Sequence, residues 1–305
     1  MDLLKGNFKK ALSIGTVILV SGFFASCSLN DNTSEATKGY LWKATKDDVS
    51  LNLIGSLENS NKHINFMNKE LKNIIKTSDN LITEIDLTDI NVRGEFEKEF
   101  KDLIFLKQGT LDDFLNKEEI EKLEHIMLDY GLRYEDYKAR SAFGILLRLE
   151  EAKNEIMKLN GVGLDVKLAD EFKAKDKEVQ SLNGVKEQME NLKKIYNLDN
   201  FKSFIASYNK GDREKYIDVY KQKIDSYKSG NTNYMEGIIK DKIQNNKFYN
   251  DIRVESNNNI VNRIEKSIDK NSHTAISLPY EDFIGEDGVL DILEKKGYKI
   301  EKIQI

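Results

Sequence analysis

The sequence predicts an α/β protein whose N- and C-terminal strand–helix–strand halves form a central sheet flanked by helices, with a long helical insertion. Three observations predict it: a strand–helix–strand pattern beginning at Tyr40, a second one closing the chain, and mainly helical periodicity between them.

Tyr40-Leu41-Trp42-Lys43-Ala44 and Val49 to Gly55 read as two short strands around a Lys46-Asp47-Asp48 turn, with apolar and polar residues alternating in the second. Met67 to Thr77 puts Leu71, Ile74 and Ile75 on one face, the spacing of a helix. Leu81 to Leu87 is a buried-strand candidate that carries acids, Glu84 and Asp86, towards its end. The stretch from Glu95 to about Leu159 is helical. In it Asn116 and Glu119 fit a capping box, and Gly131 and Gly161 fit helix stops. Val166 to Lys175 predicts another helix, and Lys177 to Leu182 a short strand. Further helices are expected over Val185–Tyr196, Asn200–Tyr208, Arg213–Lys228, Asn233–Asn245 and Arg253–Asp269. The chain closes with a strand at Thr274–Leu278, a loop, a helix at Gly288–Lys296 capped by Gly297, and a strand at Tyr298–Ile303. Tyr196, Tyr208, Tyr216, Tyr220 and Tyr227 recur in the helical region and read as an aromatic core stripe.

Composition excludes several classes. The chain has 305 residues, with 47 basic and 52 acidic side chains and a net charge of −5, so no nucleic-acid partner is expected. A single Cys excludes a disulfide-stapled scaffold. At the start, Lys5, Lys9 and Lys10 precede an apolar run from Ala11 to Phe24. That run is short for a spanning helix, which needs roughly 20 residues, and suits a secretory signal. Phe24-Ala25-Ser26-Cys27 resembles a bacterial lipobox, with small residues before the Cys that carries diacylglycerol. We therefore expect a signal peptide over 1–26, lipidation of Cys27, a polar tether over 27–39, and a folded domain over 40–305 with its helical insertion at about 95–160. The mature protein would be extracytoplasmic and lipid-anchored to a bacterial membrane. Cleavage removes three Lys and Asp2, taking the net charge from −5 to −7, so the acyl chains rather than attraction to anionic lipid must hold it there.

No P-loop, GxGxxG, GxSxG or HExxH motif is present. His63, His125 and His273 lie far apart without ligand spacing, and His125 and His273 read as surface and turn residues. The stretch from Leu41 to Ile90, LWKATKDDVSLNLIGSLENS through LITEIDLTDI, and the closing TAISLPYEDFIGEDGVLDILEKKGYKIEKI resemble the two ends of the TraB/GumN family, which includes the Tiki-type metalloproteases. The segment from Gly163 to Leu192 resembles the family's central part. This resemblance implies an α/β fold from about Tyr40 to Ile303. It also implies metal-dependent peptidase chemistry, carried by two GxxH motifs and a Glu at a strand end.

The polar centre departs from that pattern. Gly55-Ser56-Leu57-Glu58 has Glu where the family has His, and Pro279-Tyr280-Glu281-Asp282 has Pro for Gly and Asp for His. Ser256 stands where the family usually has Arg, and Leu182-Asn183 replaces Leu-Glu; Glu84 alone matches. The equivalent cluster is Glu58, Glu84 and Asp282, with Glu281 alongside. Carboxylates pressed together are unfavourable unless protons or a cation neutralise them, and loss of the Arg removes the protein's own counter-charge. Two readings follow. In the first, catalysis has been lost and the protein binds a peptide or surface-protein partner, without a cofactor. The peptide follows from the resemblance, whose members are linked to pheromone shutdown and proteolysis. In the second, Glu58, Glu84 and Asp282 are catalytic residues and ligands of a hard divalent cation (Mn, Ca or Mg) in a hydrolase. On either reading these side chains should meet at the carboxyl ends of the strands.

Overall fold

The computed structural model describes residues 36–61, 64–245, 247–269 and 272–305; the signal segment, Cys27, most of the tether and His63 lie outside them. Six strands pair in one sheet: β1 (Tyr40–Lys46), β2 (Val49–Ser56), β3 (Asn80–Thr83), β4 (Glu178–Ser181), β5 (Thr274–Pro279) and β6 (Lys299–Lys302). The helices in chain order are α1 (Lys69–Thr77), α2 (Ile90–Ile104), α3 (Lys117–Asp129), α4 (Ala142–Met157), α5 (Leu164–Lys173), α6 (Val185–Ile195) and α7 (Leu198–Ser207). They continue with α8 (Asp212–Ser229), α9 (Asn233–Asn245), α10 (Lys247–Ser267), α11 (Tyr280–Phe283) and α12 (Val289–Lys295). The chain divides into two compact units, one built on the sheet and one of helices only.

The sheet unit takes the described residues up to Asp89, then Asn160–Asn183 and Lys221–Ile305. Its strand order is β4-β3-β5-β2-β1-β6. β2, β5, β3 and β4 run parallel, while β1 is antiparallel to both β2 and β6. The central strand, β5, is fully buried from Thr274 to Leu278, whereas the edge strands β4 and β6 carry Glu178, Lys299, Glu301 and Lys302. Charged edges discourage pairing with another chain. Helix α1 buries Leu71, Ile74 and Ile75 and is capped by Asn68, whose side-chain oxygen accepts from the Leu71 amide at 2.8 Å. At the end of β2, Gly55 lets α11 approach. A Cβ there would stand 2.9 Å from the Tyr280 Cβ and 3.1 Å from that of Tyr40. Tyr40, Tyr227 and Tyr280 fill this space with ring centroids 5.1–5.6 Å apart, and the Tyr227 hydroxyl donates to the Gly55 carbonyl at 2.8 Å.

The helical unit comprises Ile90–Leu159 and Gly184–Tyr220. Helix α4 is its centre, with Phe143, Ile145, Leu146, Leu147, Leu149 and Ala152 all buried. Rings pack in a chain from Phe96 through Phe100 and Phe143 to Tyr196, each step 5.2–5.3 Å between centroids. The expected capping box is present: Asn116 and Glu119 exchange side-chain and backbone hydrogen bonds at 2.8 and 2.9 Å. Tyr196, Tyr208 and Tyr227 are buried and Tyr216 and Tyr220 half-buried, so the tyrosine stripe serves the cores of both units.

Several boundaries differ from the sequence reading. The strand expected over Leu81–Leu87 ends at Thr83, because the Asp86 carboxylate accepts from the Thr88 amide and hydroxyl at 3.0 and 2.6 Å and turns the chain. Helix α2 starts at Ile90 rather than Glu95, and short 3-10 turns at Leu111–Asp113 and Tyr134–Asp136 divide the expected helical run. The all-helical unit also gains α6, α7 and the start of α8, beyond the single insertion at about 95–160. No loop follows β5; Pro279 ends the strand and α11 begins at once.

Candidate functional site at the carboxyl ends of the parallel strands

The register places the last residues of four parallel strands on one edge of the sheet. Ser56 of β2 pairs with Pro279 of β5, and Thr83 of β3 pairs with Ser277 of β5 and with Ser181 of β4. The chain leaving these ends carries Glu58, Glu84, Asn183, Glu281 and Asp282. Helix α5 adds a fifth carboxylate. Its N-cap is Gly163, the Leu164 amide donates to the Leu57 carbonyl at 3.0 Å, and Asp165 lies in its first turn. Contact is close enough to require glycine: a Cβ on Gly163 would meet the Glu58 carbonyl oxygen at 2.5 Å and Asp165 Oδ1 at 2.6 Å.

The three carboxylates expected from the sequence do share one neighbourhood. Burial pushes the Glu58 carboxyl well above its usual range, and Asp165, Glu84, Asp282 and Glu281 each push it further. Asp165 is also raised by burial, against hydrogen bonds from its own amide and that of Val166. Asp282 is pushed up to about 6 by burial and by Glu281, with Arg253 and Lys242 acting against the shift. Each shift disfavours the charged form relative to a carboxyl in water.

Glu281 behaves in the opposite way. Burial would raise it, but Lys223 at 2.5 Å and Lys242 at 3.3 Å hold it down to about 2. All three side chains are 11–12% exposed, so this is a buried triad rather than a surface pair. Arg253 is 6% exposed and donates to the backbone carbonyls of Glu281 at 3.0 Å and Ile284 at 2.5 Å.

The expectation that the site lacks a counter-charge is therefore corrected. Ser256 stands where the resemblance implies an Arg, but Arg253 lies three residues earlier on α10, the spacing that places side chains on one helical face. That spacing was the signal available in the sequence. Lys223 and Lys242 were missed for a different reason, since they arrive from α8 and α9 and no local pattern links them to Glu281.

The residues present do not fit an imidazole-held metal. His125 and His273 are exposed on other parts of the structure, as expected, and both oxygens of Glu281 are taken by lysines. Among the described residues, no group of three His, Cys, Asp or Glu side chains is placed to hold a metal ion. The arrangement penalises charge on Glu58 and Asp165 and keeps a fixed ion-paired carboxylate at Glu281.

The TraB/PrgY/gumN family profile aligns with residues 40–302. No curated protein and no solved structure matches the chain.

Proposed function

The chain belongs to the TraB/PrgY/gumN family, and we propose that it is a binding protein in which the family's metal chemistry has been lost. It is held outside the cytoplasm by lipid on Cys27 and binds a peptide or protein partner rather than cleaving it. The observation that carries this reading is the lysine pair on Glu281. In the closing motif Asp282 stands where the resemblance implies a metal-binding imidazole, and the carboxylate just before it, Glu281, is neutralised by Lys223 and Lys242. Water activation by a metal requires ligands that leave an open coordination position. These ion pairs instead close the site electrostatically from within the protein.

Calorimetric titration of the full chain with manganese, calcium and cobalt tests the proposal, with Glu84→Ala as control. No saturable heat with any of the three is expected, and no peptide hydrolysis in their presence. Ion binding that disappears in Glu84→Ala, joined to peptide cleavage that disappears with it, would establish the carboxylate hydrolase and overturn the binding-protein reading.

A further inference from the structure

A buried hydroxyl without a partner faces the acidic strand ends. Ser277 of β5 is 1% exposed, and its Oγ finds no hydrogen-bond partner in the protein. Such a group costs stability that an alanine would not, so its presence in the central strand calls for a reason. The register sets its direction. Ser277 pairs with Ile54 on one side and Thr83 on the other, and residues paired in this way share a face of the sheet. Asn52, two residues before Ile54, lies on the same face and donates to Ser78 Oγ at 3.1 Å, just after α1. Helix α5 packs beside α1 and against β3 and β4, so Ser277 looks into the layer these two helices form.

Asp165 heads that layer at the strand-end edge, where the Leu164 amide holds the start of α5 to the Leu57 carbonyl. It stands three, four and seven residues before the buried Leu168, Ala169 and Phe172, the spacing of the face that α5 turns inward. Ser277 Oγ therefore points beneath Asp165, with Glu58 and Glu84 arriving just after the ends of β2 and β3.

These carboxylates lack a cation. Glu58 and Asp165 are half-buried, and among the described residues neither forms an ion pair. The charges acting most on Glu58 all belong to acids: Asp165, Glu84, Asp282 and Glu281. Lys223 and Lys242 are engaged by Glu281, and Arg253 donates to backbone carbonyls. Lys167 of α5 lies over the Phe66 ring at 5.2 Å, and residues two apart on a helix do not face each other. The complementary ligand is thus positive. No three acid or imidazole side chains among the described residues are placed to hold a metal ion. An ammonium asks for less convergence, because its hydrogen bonds to carboxylates run to roughly 2.8 Å against roughly 2.0–2.6 Å for hard-metal bonds. Its three donors also match two carboxylates and one hydroxyl.

Resting on the binding-protein reading, we propose that Glu58, Asp165 and Ser277 capture a primary ammonium group of the partner, either a free amino terminus or a lysine side chain. The ammonium donates to the two carboxylates and to Ser277 Oγ, which gains the partner it lacks. Capture of a terminal amine is a recurring mode of peptide recognition.

The test is calorimetric titration of the full chain with three probes: tetraalanine amide with a free amino terminus, its N-acetylated form, and N-acetyl-Ala-Lys-Ala amide. At least one of the two cationic probes should bind saturably, about tenfold or more tighter than acetylated tetraalanine. Binding of the first probe alone assigns a chain terminus, and binding of the third a lysine side chain. Ser277→Ala should weaken the bound probe by about tenfold and leave the urea midpoint unchanged or raised, since nothing in the protein satisfies that hydroxyl. Glu58→Gln and Asp165→Asn should each weaken it by about tenfold or more, with circular dichroism reporting that the variants are folded. The proposal is overturned if neither cationic probe binds, if acetylated tetraalanine binds equally well, or if binding is undiminished in Ser277→Ala or in the folded carboxamide variants. Equal binding of the acetylated probe would overturn ammonium capture and leave the binding-protein reading standing; metal-dependent cleavage of a probe would overturn that reading itself.

Discussion

Replacing Asp282 by Asn should stabilise the protein at neutral pH, and replacing its neighbour Glu281 by Gln should destabilise it. The sign follows from linkage between protonation and folding. Asp282 goes from an ordinary value of 3.8 to about 6 in the folded protein, so its favourable contribution is complete below 3.8 and is lost as pH rises through 6. That shift corresponds to about 3 kcal/mol at neutral pH, and screening at a half-buried side chain reduces the expectation to about 1–3 kcal/mol. Asn mimics the protonated form and removes the penalty. Glu281 runs the other way, from 4.5 down to about 2, so its contribution is present above 4.5 and is lost as pH falls towards 2. The shift is worth about 3 kcal/mol, in line with the about 3–5 kcal/mol expected when one partner of a buried ion pair is removed. Urea unfolding followed by Trp42 fluorescence reads both variants. Trp42 is the one tryptophan, sits in β1 and is 4% exposed, so it reports on the sheet unit. At about pH 7.5, Asp282→Asn should raise the midpoint by roughly 0.5–1.5 M if the urea slope is near 2 kcal/mol/M. At about pH 3.5 that gain should vanish. A lowered midpoint at neutral pH, or an equal shift at both pH values, would mean that Lys242 and Arg253 outweigh burial at Asp282 and would refute the reasoning.

Asn68→Ala should cost about 2–3 kcal/mol in the same urea assay, because it removes the α1 cap and orphans buried carbonyls. The Asn68 amide donates to the Thr37 and Lys38 carbonyls at 2.9 and 3.1 Å, so Asn68→Asp, which keeps the cap but sets a buried carboxylate oxygen against both carbonyls, should cost at least as much as Asn68→Ala. Cys27→Ser should abolish labelling by a radiolabelled fatty acid in bacterial cells and move the protein out of the membrane fraction; a variant that stays membrane-bound would point to the Ala11–Phe24 run as an uncleaved anchor.

Elements whose signals are local were readable in the sequence, and those assembled over distance were not. The α1 face of Leu71, Ile74 and Ile75, the Asn116–Glu119 box and the Gly297 cap depend on neighbours a turn apart, and each is found where the pattern placed it. Strand order is a different matter. β5 enters between β2 and β3 almost two hundred residues after them, and apolar alternation carries no information about that insertion. The end of β3 shows a middle case. Leu81 to Leu87 has the composition of a strand throughout, but the local bonds from Asp86 to Thr88 outcompete ladder pairing. At the site, the resemblance named Glu58, Glu84 and Asp282, and in the structure the charges of Glu84 and Asp282 both act on Glu58. Asp165 was missed because it belongs to a helix start, where an acid already has a local explanation in the helix dipole.

The charges at the strand ends bear on whether a cation would gain by binding there. Buried carboxylates can be stabilised by a metal, by a proton or by a basic side chain, and these alternatives compete. Glu281 already has the third, through Lys223 and Lys242, and a metal reaching it would have to displace two buried ammonium groups or sit beside them. Glu58 and Asp165 tend towards the second, since burial raises both. A cation needs these carboxyls ionised, so its apparent affinity would fall as pH falls. Arg253 adds a further positive charge near Asp282. Lys223, Lys242 and Arg253 thus set positive charge from within the protein against Glu281 and Asp282, and it is this charge with which an incoming cation would compete.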